Sequence, residues 1–348
     1  MNIHDLETPV AVIDLDKIEA NIARVQHYLD EHGIANRPHI KTHKIPAIAK
    51  MQVDAGAIGI TCQKLGEAEV MADAGIKDIF LPYNILGESK LKRLAALCRR
   101  VKMSVTADSE TTVRGLSEAM SKEGLDLEVL VEFDTGGHRC GVQTPEEAAT
   151  LARLIEDSPG LHFGGLMCYP SSDNTDEFVQ ETRQLLEADG IAVKQVSAGG
   201  SPSLWKAHTR RQVTEYRVGT VVYGDRATLR SGVMTPDQLA MRIICTVVSR
   251  PTADRGILDG GSKTFSSDTA GDGFGAILEY PEAKIYMLNE EHAYVDFSAC
   301  EHKPAVGDRV SVIPNHCCVV SNLFNQMVCV RNDEVEAVWP VAARGLLT

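Results

Sequence analysis

The sequence predicts a (β/α)8 barrel of the TIM type followed by a mainly antiparallel β-domain. Three observations support this fold class. Short apolar, β-rich runs alternate with amphipathic helical stretches over the first two-thirds of the chain, the signature of βα units and a parallel sheet. Eight or nine such units in about 230 residues suit a closed barrel better than an open doubly wound sheet. After residue 236 helical periodicity gives way to strands joined by turns.

In order along the barrel, strands are expected to begin near Val10, Pro38, Gly59, Asp78, Lys102, Leu127, His162, Lys194 and Thr214. Amphipathic stretches at 17–32, 64–74, 86–99, 146–156 and 175–188 supply helices between them. The first strand is not followed by G-x-G-x-x-G, which weakens a dinucleotide-binding fold. In the second part, 240–248, 284–288, 293–297, 309–313, 326–331 and 334–339 pattern as strands, with Arg331-Asn332-Asp333 as a hairpin turn. The expected division is a barrel at 8–235 and a β-domain at 236–348 that also takes in 1–7.

Composition narrows the function. The 348 residues carry a formal net charge of -13, which argues against nucleic acid or an anionic membrane as partner. The start of the chain lacks the basic and apolar pattern of a signal peptide, and no apolar run is long enough for a membrane span. A cytoplasmic enzyme acting on a small molecule is the expectation. Nine irregularly spaced cysteines fit reduced thiols in that compartment.

The chemistry is expected at strand C-terminal ends, where parallel β/α architectures gather reactive groups. Lys41 closes the second strand within Pro38-His39-Ile40-Lys41-Thr42-His43-Lys44. Burial and neighbouring cations are the environment that turns a lysine amine into a nucleophile for a carbonyl cofactor. Arg139 follows the strand at 127–133, after two glycines that permit close backbone approach. Tyr169 follows the strand near His162. Gly199-Gly200-Ser201 ends the strand at 194–197 and offers backbone N–H groups to an anion. Tight βα turns would explain each alone; four at four strand ends favour a phosphorylated cofactor. Farther on, His316-Cys317-Cys318 places an imidazole and a thiol one residue apart. In an extended strand they would face one side and could share a zinc ion.

These motifs, in this order, resemble the D-threonine aldolase and D-serine dehydratase family. Its members are fold-type III pyridoxal-phosphate enzymes related to alanine racemases. The resemblance runs over nearly the whole chain. Besides the Lys41 segment it includes Thr8-Pro9, Gly66-Glu67-Ala68-Glu69, Asp134 with Arg139-Cys140-Gly141-Val142, Ser197-Ala198-Gly199-Gly200-Ser201-Pro202, Asp259-Gly260-Gly261-Ser262-Lys263-Thr264 and Asn289-Glu290-Glu291-His292.

The resemblance implies that Lys41 is the Schiff-base lysine for pyridoxal 5'-phosphate. It implies that Arg139 meets the cofactor's phenolic oxygen and that Tyr169 lies beside the ring near its nitrogen. Gly199, Gly200 and Ser201 would hold the phosphate, completed by Gly219 and Thr220. His316 and Cys318 would bind a divalent metal, zinc first and manganese as the alternative. His43 and His292 would shuttle protons or support the site by hydrogen bonds. The family's aldolases favour His-x-Asp at the metal position and its dehydratases His-x-Cys, so Cys318 points to a dehydratase. The following Val319-Val320-Ser321-Asn322 departs from the Pro-Thr-Val-Asn of close relatives. The expected activity is therefore β-elimination on D-serine or D-3-hydroxyaspartate, giving keto acid and ammonia. The alternatives are retro-aldol cleavage of D-threonine or a relative, amino-acid racemisation, or a non-catalytic cofactor carrier. A homodimer is implied by the resemblance alone.

Overall fold

The computed structural model describes residues 1–348. The chain divides into two units. One comprises Ala23–Lys41, Pro46–Gly219 and Leu346–Thr348; the other comprises Met1–Ile22, Thr42–Ile45 and Thr220–Gly345.

Nine strands precede residue 220: β1 (Val10–Asp14), β2 (Ala35–Asn36), β3 (Ile60–Thr61), β4 (Asp78–Leu81), β5 (Lys102–Ala107), β6 (Leu127–Phe133), β7 (Leu161–Cys168), β8 (Gln195–Gly199) and β9 (Glu215–Arg217). Strands β2 to β9 form one parallel sheet in the order β2-β9-β8-β7-β6-β5-β4-β3. Its two ends are joined by Ile58 N to Asn36 O (3.0 Å) and Thr61 N to Pro38 O (2.8 Å), with a parallel bridge between His39 and Thr61. The expected eight-stranded barrel is thus present.

Helices cover the outside for the reasons the sequence suggests. The helix at Glu110–Lys122 is capped by Ser109, whose hydroxyl accepts from Thr112 N, and it buries Val113, Leu116 and Met120 on one stripe. The helix at Pro145–Glu156 starts with proline at its first position behind the Thr144 cap. Sheathed on both faces, β5 and β6 are buried almost throughout. At Gly165, φ is +148° and an added Cβ would lie 1.9 Å from Gln195 O. Only glycine permits the β7–β8 spacing there. Inside the ring, buried Arg37 donates to Glu215 (2.6 Å) and to Asp78.

The second unit is built on a mixed sheet. Its later strands are β10 (Met241–Ser249), β11 (Arg255–Leu258), β12 (Ala276–Ile277), β13 (Lys284–Leu288), β14 (Ala293–Asp296), β15 (Arg309–Ile313), β16 (Gln326–Arg331) and β17 (Glu334–Pro340). The order is β13-β14-β11-β10-β1-β16-β17, with β15 pairing β10 and β12. Asn332 (φ 48°) and Asp333 (φ 64°) make the tight β16–β17 turn that their sequence signals.

Two local expectations are corrected. The strand at Val10 is not a barrel strand: β1 pairs antiparallel with β10, Val12 opposite Arg242, and parallel with β16, Val12 beside Val328. Its side chains pack with Ile3, Ile244, Val328 and Val330. A continuous apolar run announces a buried strand but not the sheet that buries it. The segment after β15 is not extended either, since Cys317–Leu323 is a helix. No helix is long and apolar enough to cross a membrane.

Removing one partner of a buried ion pair strands the other charge. Arg37→Ala should therefore destabilise the protein by about 3–5 kcal/mol, read as a lower chemical-denaturation midpoint with β-sheet content retained in native buffer.

Candidate active site

Within the barrel unit, Lys41 lies in the short 3-10 turn Ile40–Thr42 just beyond β2. His39 keeps this turn in line with the sheet: its N–H donates to Val218 O (2.9 Å). Its ring Nδ1 accepts from Lys41 N (3.4 Å), so Nε2 carries the proton and donates to Gln63 Oε1 (3.0 Å). Gln63 N in turn donates to the buried Glu67 carboxylate (2.6 Å). The backbone bearing Lys41 is thereby tied to the start of the helix Leu65–Asp73.

Two predicted residues converge on the ring of a third. Lys41 Nζ is 5.8 Å from the centre of the Tyr169 ring, and the Arg139 guanidinium carbon is 4.7 Å from it. Arg139 Nη2 also reaches Glu132 Oε1 at 3.4 Å. Burial raises the Glu132 carboxyl above its usual range, and Arg139 opposes that shift. The loop carrying Arg139 is wrapped on Asp134, which accepts from the amides of Gly136 (3.0 Å), Gly137 (2.8 Å) and His138 (3.1 Å).

Gly199 ends β8 close to the same ring: an added Cβ would sit 3.5 Å from Tyr169 Cδ2 and 3.0 Å from Arg217 O. Gly200 (φ +126°) is the cap of the 3-10 helix Ser201–Thr209, whose first N–H groups have no intrahelical acceptor. The carbonyl of Gly200 accepts from Tyr216 Oη (2.8 Å), and Ser203 Oγ lies 3.1 Å from that hydroxyl. A primary amine, an arginine, an aromatic ring and a glycine cradle at four strand ends suit a phosphorylated aldehyde. The amine can condense with its carbonyl and the cradle can take its dianion.

Gly219 and Thr220 are consecutive, yet they fall in different units. Thr220 Oγ1 is 3.9 Å from Cys318 Sγ, and Thr42 Oγ1 is 3.2 Å from the same sulfur. His316 caps the helix Cys317–Leu323, so the imidazole and thiol meet across a helix N-terminus rather than along a strand. The buried Asp225 carboxylate stands behind them. It accepts from Thr228 N (2.8 Å) and Cys317 N (3.0 Å), and lies 3.5 Å from His316 Nδ1. Hydrogen bonds to Asp225 and then to Cys318 push the His316 pKa up to about 10. A hydrogen bond from Cys317 and then the His316 interaction hold the Cys318 thiol well below its ordinary range. Cys317 is pushed the other way by burial.

Imidazole and thiolate are donors that zinc favours, so the pair fits the metal chemically. No cluster of three or more His, Cys, Asp or Glu completes it. Two such donors would leave the other positions of an ion to water or substrate. His43 is buried, its Nδ1 accepts from Ile45 N (3.0 Å), and its ring meets Tyr223 edge-on at 6.4 Å. His292 is exposed in the β13–β14 turn, its carbonyl accepting from Asn289 N.

Sequence reasoning did not single out Asp225, His39 or Arg217. Asp225-Arg226-Ala227-Thr228 carries only a helix-cap signal, and Asp225 is indeed the cap of Arg226–Arg230. Arg217 ends β9, donates to Cys168 O (3.0 Å) and Ser197 Oγ, and has its pKa lowered by burial. No local pattern marks an arginine as facing into a barrel.

Comparison with known proteins agrees with this geometry. Residues 13–227 match the family model "Alanine racemase, N-terminal domain", and residues 240–330 match "Putative serine dehydratase domain". A D-threonine aldolase from Arthrobacter sp. is 35% identical over 98% of this chain and 93% of its own. The crystal structure of D-threonine aldolase from Filomicrobium marinum superposes with TM-score 0.91 at 29% identity, covering 99% and 97% of the two chains. A cysteine-to-alanine mutant of D-threo-3-hydroxyaspartate dehydratase, solved in the metal-free form, superposes with TM-score 0.88 at 27% identity over 98% of each chain. The matched segments span the lysine turn, the glycine cradle and the His-x-Cys turn. The chain belongs to the D-threonine aldolase and D-serine dehydratase family of fold-type III, alanine-racemase-like enzymes, and is a pyridoxal-phosphate-dependent lyase.

Proposed function

We propose that the enzyme is a dehydratase of D-β-hydroxy-α-amino acids that requires a divalent metal, with Lys41 as its base and His316 and Cys318 as metal ligands. The observation that carries this reading is the His316–Cys318 pair backed by Asp225, a soft two-donor set at the position where family dehydratases favour His-x-Cys. Bound pyridoxal phosphate supplies an electron sink for charge at Cα, and a bound divalent ion, zinc by its donors, supplies a Lewis acid for the β-oxygen.

The protein's own part follows from its contacts. Lys41 would hold the cofactor through Nζ, and the same nitrogen is placed to take the α-proton. Tyr169 and Arg139, stacked on one another, would keep the ring and its oxygen substituent in place. The amides of Gly200 and Ser201 hold the phosphate, with the Gly200 carbonyl committed to Tyr216. Asp225 fixes the His316 imidazole so that one nitrogen remains for the ion, the usual carboxylate–histidine arrangement behind a metal. His43, committed to Ile45 N–H, steadies the turn that presents Thr42 to Cys318. β-Elimination needs the α-proton to move to Lys41 and hydroxide to leave. Retro-aldol cleavage needs the β-hydroxyl proton removed instead. The 35% identity to a D-threonine aldolase over nearly the full chain supports that second reading.

Three outcomes are expected. Incubated with cofactor and zinc, the enzyme should release keto acid and ammonia from D-serine or D-threo-3-hydroxyaspartate, and EDTA should abolish the release. Glycine and an aldehyde as sole products, from D-threonine, would replace the dehydratase reading by the aldolase one. Lys41→Ala should lose the visible absorbance of the bound cofactor and about 10³-fold or more in kcat. Asp225→Asn keeps the helix cap but should weaken zinc binding about 10–100-fold, measured by chelator competition on protein whose Tm is checked.

A further inference from the structure

Three hydroxyls are packed behind the glycine turn, and their protons share one destination. Tyr216 Oη donates to Gly200 O (2.8 Å). Ser203 Oγ lies 3.1 Å from that phenol oxygen and donates to the same carbonyl at 3.4 Å, and Ser203 N adds a third donor at 3.3 Å. Ser171 Oγ is 3.2 Å from Ser203 Oγ and 3.4 Å from Tyr216 Oη. Tyr216 has committed its only proton to Gly200 O, so toward the serines its oxygen accepts. The phenol is fully buried, and burial raises its pKa, which keeps the donated proton in place. All of these residues lie in the barrel unit.

The geometry of one peptide group carries the consequence. The Gly200–Ser201 bond is trans, and in a planar trans peptide the C=O and N–H point in opposite directions. Holding the Gly200 carbonyl against the hydroxyl cluster therefore turns the Ser201 N–H away from it. Ser201 opens the 3-10 helix Ser201–Thr209, where an N–H has no intrahelical acceptor. Gly200 reaches this arrangement at φ +126°, which glycine adopts without strain. Hydrogen bonds in series polarise one another, so the donors on the carbonyl also strengthen the Ser201 N–H as a donor. Ser171 N donates to Gly199 O (2.9 Å), which laces the cluster to the end of β8.

We infer that Tyr216, with Ser203 and Ser171 behind it, is a positioning residue that makes this turn selective for a phosphorylated cofactor, by fixing the Gly200–Ser201 peptide so that the Ser201 amide meets the phosphate. The inference rests on the reading that the Gly200 and Ser201 amides hold the phosphate, and it adds what sets their direction. The phenol itself touches no part of the cofactor. Its effect falls on the phosphate and spares the carbonyl end that Lys41 engages.

The test titrates the whole chain, freed of cofactor, with pyridoxal 5'-phosphate and with pyridoxal, which lacks the phosphate, following the visible absorbance of the bound cofactor. The readout is the ratio of the two dissociation constants, because a general loosening of the fold weakens both. Wild type should strongly favour the phosphorylated form. Tyr216→Phe should lower that preference about tenfold, the worth of one good hydrogen bond, with pyridoxal binding unchanged. Ser203→Ala, a milder change at a half-buried position, should lower it by a smaller factor. Ser201→Pro removes the N–H at a helix start, where proline fits, and should abolish the preference. A preference lost in Ser201→Pro but unchanged in Tyr216→Phe and Ser203→Ala would overturn the inference and leave the phosphate reading standing. A preference unchanged in all three would remove the phosphate reading and the inference with it. Equal weakening of both ligands in Tyr216→Phe would also overturn the inference, making the phenol a packing element only.

Discussion

A carboxylate withdrawn from water must be met by donors, and this requirement organises both units. Asp225 is fully buried and satisfies it with two backbone amides and the His316 ring. Those contacts place the first turn of Cys317–Leu323 and set the imidazole beside the thiol. In the barrel, Glu215 meets Arg37 and Ser197 Oγ (2.5 Å), and Asp134 gathers three loop amides under Arg139. An unpaired charge at such depth costs several kcal/mol. The geometry around each carboxylate is correspondingly narrow, and the functional side chains inherit that narrowness.

The sequence made the barrel legible because β/α alternation is a periodic signal that survives without contacts. It also made the strand-end residues legible, since parallel architecture dictates where reactive groups gather. Lys41, Arg139 and Tyr169 come together around one ring, as their positions suggested. What was not legible depends on long-range pairing. Strand β1 is apolar on both faces, and only its partners β10 and β16 say which sheet it joins. Asp225 and His316 are ninety-one positions apart in sequence, and no local pattern links a helix cap to an imidazole. The His-x-Cys spacing was legible as a neighbouring imidazole and thiol, but its geometry was not. A strand and a helix N-terminus both bring residues i and i+2 near one another, and the Asp225 bond to Cys317 N selects the helix.

That difference has a chemical consequence. At a helix N-terminus the unsatisfied N–H groups and the helix dipole favour negative charge. Cys318 lies in that first turn, and its thiol is held well below the ordinary range. A strand would offer no such bias. The hydrogen bond from Cys317 and the neighbouring imidazole favour the thiolate in the same direction.

Covalent connectivity links the lysine turn to the residues around Cys318. Lys41 and Thr42 are consecutive, so their Cα atoms are about 3.8 Å apart. Lys41 belongs to the barrel unit, whereas Thr42 belongs to the unit that holds Cys318, 3.2 Å from its hydroxyl. Gly219 and Thr220 repeat the pattern, with Thr220 Oγ1 also facing Cys318 Sγ. Two peptide bonds thus tether the lysine turn and the end of β9 to residues whose hydroxyls address the thiol.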